Sequence, residues 1–88
     1  MNIDLLIKMA NQIGEFFAGA SAADQAPRDV ASHLKRYWDP RMRTQIIAYY
    51  EQRHGAGLND TALGGVALLR DESQPPAQNG GAATGAKA

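Results

Sequence analysis

The chain has no cysteine, which excludes disulfides, thiolate zinc sites and iron–sulfur ligation by its own side chains. It has no formal net charge, with nine basic and nine acidic residues among 88. Lacking a basic block as well, it offers no electrostatic footprint for nucleic acid or an anionic membrane. No apolar run approaches the ~20 residues that span a bilayer. The opening MNIDLLIKMANQ lacks the basic region, continuous apolar centre and small-residue cleavage site of a signal peptide. These absences predict a cytoplasmic chain forming one domain. Phosphate-cradling glycine motifs are also missing, and Ser21, Ser32 and Ser73 sit in no nucleophile context. An independent active site is not expected.

What is present has helical periodicity. Ile3, Leu6, Ile7, Ala10, Ile13, Gly14 and Phe17 recur at three- and four-residue steps, an apolar face capped by Asn2 or Asp4. Leu5, Met9 and Phe16 form a second stripe on another side, covered either by the rest of the domain or by a partner. After a loop of small residues, Pro27 suits the first turn of a second helix carrying Val30, Leu34, Tyr37 and Trp38. Asp39 precedes a proline, so that helix ends there; Asp39 can cap a third helix that starts with Pro40. Met42, Ile46, Tyr49 and Tyr50 give the third helix its apolar side, and Gly55 and Gly57 are its stops. A fourth helix, capped by Asn59 or Asp60, runs through Leu63, Val66, Ala67 and Leu69. Gly64-Gly65 makes it the weakest of the four.

The fold class is therefore all-α, a small bundle of three to four short helices over residues 1–70. From Asp71 on, DESQPPAQNGGAATGAKA contains no aromatic residue and no Leu, Ile, Val or Met. It reads as a disordered Gly/Ala/Pro-rich tail. A core built from the remainder rarely supplies more than ~3–5 kcal/mol unaided, a first sign that the chain works inside an assembly.

One corner stands out. YWDPRMR, Tyr37 to Arg43, holds the single tryptophan, a helix-breaking Asp-Pro and two arginines. Arg41 and Arg43 lie in the first turn of the third helix, where the dipole disfavours cations by ~0.3–1 kcal/mol each. Either Asp39 neutralises them, with Arg43 pairing back to it, or they reach an acidic group on a partner. With Trp38 and Met42 beside them, the mix is that of a protein–protein hot spot, though Trp38 taken alone reads more readily as core than as interface. This docking reading expects Trp38→Ala to weaken association more than Arg36→Ala. Asp29 and His33, four residues apart, read as a surface helical pair. A small helical nucleic-acid-binding module is a further alternative, resting on six Lys/Arg against three acids between Arg28 and His54.

LIKMANQIGEFF (Leu6 to Phe17), VASHLKRYWDPRMR (Val30 to Arg43) and GAGL (Gly55 to Leu58) together resemble the delta subunit of soluble NAD-dependent molybdenum formate dehydrogenases. The likeness runs from about Met1 to Leu69. It implies a complex that interconverts formate and carbon dioxide with NAD and NADH. A catalytic subunit there carries bis-molybdopterin guanine dinucleotide and iron–sulfur clusters, and diaphorase subunits carry FMN, further clusters and the NAD site. The small chain is implied to be accessory, binding no cofactor or metal itself. Asn11 and Gln12 of MANQIG, with Trp38, Asp39, Pro40, Arg41 and Arg43 of WDPRMR, are the matching positions. Phe16 and Met42 complete the expected interface, and no catalytic residue is implied. A permanent subunit and a transient maturation chaperone for molybdenum cofactor insertion both fit.

Overall fold

The computed structural model describes residues 2–73. Four helices follow one another, α1 (Ile3–Ala20), α2 (Ala26–Tyr37), α3 (Pro40–Arg53) and α4 (Asp60–Ser73). There is no strand among the described residues. The all-α expectation holds.

Local chemistry sets the boundaries. Asn2 caps α1, its Oδ1 accepting the Asp4 N–H at 2.9 Å. Pro27 sits in the first turn of α2, where its missing N–H costs nothing. Trp38 and Asp39 are both extended, with ψ of 141° and 163°, as the proline that follows requires. Asp39 Oδ1 then accepts the backbone N–H groups of Arg41 and Met42 at 2.8 and 3.1 Å, starting α3. His54 ends α3 in the left-handed region at φ 58°, and Gly55 and Gly57 follow with φ of 71° and 92°. Asn59 opens α4, its Oδ1 accepting the Ala62 N–H at 2.8 Å.

The core is the apolar face of each helix turned inward. Leu6 and Ala10 come from α1, Val30, Ala31 and Leu34 from α2, Ile46 from α3, and Ala62, Val66 and Leu69 from α4, with Trp38 filling the corner. α4 is central, not marginal. A side chain at Gly65 would collide with Val30 and approach the Pro27 carbonyl, and one at Gly64 would press on the Pro27 ring. The glycine pair that weakens α4 by propensity is what lets it lie close against α2. Gly14 does the same for α1, where a Cβ would fall 2.9 Å from the Ala62 nitrogen.

α4 also runs to Ser73, three residues past the boundary placed at Arg70. Along this last turn Glu72 pairs with Lys35 of α2 at 3.0 Å, and Asp71 lies 3.4 Å from Arg70. The rest of the expected tail, residues 74–88, lies outside the described residues.

Candidate protein-docking surface

Two expected interface residues turn inward. Asn11 donates from Nδ2 to the Gly57 carbonyl at 2.8 Å and accepts the Asn59 N–H at 2.8 Å. Its own carbonyl accepts Asn59 Nδ2 at 3.0 Å. This pair of asparagines ties the middle of α1 to the loop that starts α4. Trp38 is only 5 % exposed and belongs to the chain's own core. A partner could reach no more than its rim, so the structure revises its expected role from docking anchor to core residue.

The corner's polar groups are also internally engaged. Arg43 does not pair with Asp39; its Nη1 donates to the carbonyls of Trp38 and Lys35. A cation is thereby placed on the carbonyl end of α2, where the dipole favours it, and Arg43 locks the Asp-Pro corner. Asp39 is engaged as the α3 cap, and Met42 is half-buried against the core. Pro40 and Arg41 remain exposed. With Thr44, Gln45 and Ala48 they line a shallow groove along the outside of α3.

The second stripe of α1 points outward. Leu5 is 51 % exposed and Phe16 66 %, with exposed Gln12 between them. Spacings of seven and four residues put all three on one line of the helix, roughly 16 Å long. Met9 leans off this line and packs against the core. The Gln12 side chain has no hydrogen bond among the described residues.

Sequence reasoning missed an aromatic chain that crosses from α1 to α2. Phe16 meets Phe17 edge-on with centroids 5.0 Å apart, Phe17 meets His33 at 6.1 Å, and His33 meets Tyr37 at 4.7 Å. Tyr37, assigned by periodicity to the apolar face, is 66 % exposed. His33 lines the same shallow groove as Asp29 but is not among its hydrogen-bond partners, which are Ser21 and Gln25. The Asp29 carboxylate accepts Ser21 Oγ at 2.6 Å and Gln25 Nε2 at 3.0 Å, and these bonds hold its pKa below the usual aspartate value.

Unpaired charge is unevenly distributed. The three acids between residues 26 and 53 are all engaged: Asp29 as above, Asp39 as a cap, and Glu51 with Arg70 at 2.8 Å. On the same two helices the guanidiniums of Arg28, Arg36, Arg41 and Arg53 have no hydrogen bond or ion pair among the described residues. The neutral total conceals a cationic α2–α3 side. A cleft of about 450 Å³ is lined by Tyr50, Glu51, His54, Leu63 and Arg70. The Glu51–Arg70 pair spans it, and the hydrogen bond to Glu51 raises the Arg70 pKa. No group of three or more His, Asp or Glu side chains is placed to hold a metal ion among the described residues. Nor is any described helix long and apolar enough to cross a membrane.

The profile of the family described as NADH-dependant formate dehydrogenase delta subunit FdsD matches residues 5–66. The chain belongs to that family. The match runs from the outward Leu5 on α1 to Val66 in α4, so it contains the corner, the asparagine pair and the aromatic chain. No curated protein and no solved structure gives a significant match to this delta-subunit family member.

Proposed function

We propose that this chain is a non-catalytic accessory subunit, without an active site of its own, that docks on a cytoplasmic NAD-dependent molybdenum formate dehydrogenase. Its partners are the catalytic and diaphorase subunits. The molybdopterin guanine dinucleotide, iron–sulfur clusters and FMN belong to those larger chains, and this chain binds none of them. By binding the assembled state it stabilises that state by mass action. The observation that carries the proposal is the outer line of α1. Two large apolar residues, Leu5 and Phe16, flank an unbonded amide at Gln12 on a helix already packed on its other side. Membership of the delta-subunit family supports the choice of partner. Pro40 and Arg41 extend the docking surface along the outside of α3.

The test is a tagged purification from the native host at mild salt, with mass spectrometry of everything retained. Stoichiometric recovery of molybdenum- and flavin-binding chains, with formate-dependent NAD reduction, is the expected result. Recovery only with a cofactor-free catalytic chain would replace the permanent subunit with a maturation chaperone.

A further inference from the structure

We infer that the groove between α1 and α2, and not the Trp38 corner, is the specificity-determining part of the docking surface. It takes a partner segment that presents an apolar side chain together with a carboxylate. The inference rests on the docking reading above and goes beyond it by naming the surface and the chemistry of its occupant.

The groove is shallow, about 260 Å³, and is lined by Phe17, Asp29, Ser32, His33, Arg36 and Tyr37. Its wall is the aromatic chain, which ends in two residues that are each two-thirds exposed, Phe16 and Tyr37. Aromatic rings and arginine are the side chains that dominate binding energy in protein interfaces. Of the groove's two formal charges, Asp29 keeps its negative charge but has its carboxylate hydrogen-bonded by Ser21 and Gln25, whereas Arg36 has no hydrogen bond or ion pair among the described residues. What remains to be satisfied is apolar surface plus one guanidinium, whose planar fork matches a carboxylate bidentately. Phe16 also lies on the outer line of α1, so groove and stripe form one continuous surface.

The chain itself does not supply the occupant. Residues 74–88, QPPAQNGGAATGAKA, contain neither an acidic side chain nor a Leu, Ile, Val, Met or aromatic residue. A second copy pairing through the same face is disfavoured by charge, because it would set two net-cationic α2–α3 sides against each other. The cationic bias of α2 and α3, six Lys/Arg against three acids between residues 26 and 53, favours an acidic protein surface.

The experiment titrates the purified chain and its variants onto the enzyme complex stripped of this subunit, at two salt concentrations. Tyr37→Ala and Arg36→Gln are each expected to weaken binding tenfold or more while keeping the wild-type melting temperature, since both side chains are exposed. Arg53→Ala, outside the groove, is expected to bind normally. Loss of the carboxylate contact is read directly: wild-type binding falls with salt more steeply than that of Arg36→Gln. In addition, Arg36→Lys gives a carbodiimide crosslink from position 36 to an Asp or Glu of a larger subunit.

Wild-type binding with both groove variants within twofold of it would overturn this inference and leave the docking reading standing. No binding by the wild-type chain would overturn both. Self-association abolished by Tyr37→Ala would replace the acidic partner with a second copy. Low-salt retardation of RNA or DNA lost in Arg36→Gln would replace it with nucleic acid.

Discussion

At the scale of single residues, Trp38 fills the corner of the core and Arg43 closes that corner by donating to the carbonyls of Trp38 and Lys35. Removing the Trp38 side chain empties a core site that is 5 % exposed. Trp38→Ala is therefore expected to cost about 3–5 kcal/mol of stability, measured by urea unfolding of the free chain. Binding loss in that variant follows from unfolding. The contrast with Arg36→Ala therefore reports a direct contact only for Arg36, which is exposed and has no hydrogen bond or ion pair among the described residues. Asp29 supplies a pH test. Its folded pKa is lowered by the bonds from Ser21 and Gln25, so the stability it contributes is present above the unfolded carboxyl value of about 3.9. It disappears as pH falls through the lower folded value. Ser21→Ala should be less stable than wild type at neutral pH, and the two melting curves should converge in strong acid. A difference that persists unchanged at pH 2 would assign the effect to the end of α1 instead.

Among the elements, the boundaries were the most legible feature, because they depend on side chains acting within a few residues. Asn2, Pro27, Asp39-Pro40 and Asn59 each start a helix where composition places the start. What periodicity and propensity could not reveal is long-range. Gly64-Gly65 counts against a helix in isolation, yet it is where α4 approaches α2. Tyr37 falls in phase with Val30 and Leu34 but ends its helix against open solvent. Asn11 finds its partner 48 residues away. A pair of identical substitutions separates local from tertiary effects. At Gly65 an added methyl meets the Val30 side chain, and overpacking of that kind costs ~1–3 kcal/mol. The helix-propensity gain, about 1 kcal/mol, is too small to offset it. At Gly19 nothing lies within 4 Å of the added methyl, so only the gain remains. Gly65→Ala should lower the melting temperature and Gly19→Ala should raise it, by several degrees each. If both moved in the same direction, α2 and α4 would not be packed as closely as described.

For the whole molecule, the same small core that fixes the fold leaves apolar surface uncovered, and the two facts have one cause. Four short helices enclose ten buried core residues, too few for each helix to hide every apolar position. The residues left out are grouped: Leu5 and Phe16 on α1, joined through ring contacts to Tyr37 on α2. Exposed side chains contribute little to folding, so replacing them should separate association from stability. A Leu5→Ser, Phe16→Ser double variant is expected to unfold within about 0.5 kcal/mol of wild type. Its affinity for the enzyme complex should nevertheless fall at least tenfold, the equivalent of ~1.4 kcal/mol. The two readings are calorimetry of the free chain and titration onto the stripped complex. A variant that bound normally would remove the outer line of α1 from the interface and leave the α1–α2 groove, with Pro40 and Arg41, to carry docking. One that lost stability in proportion to affinity would show that the stripe is core in solution.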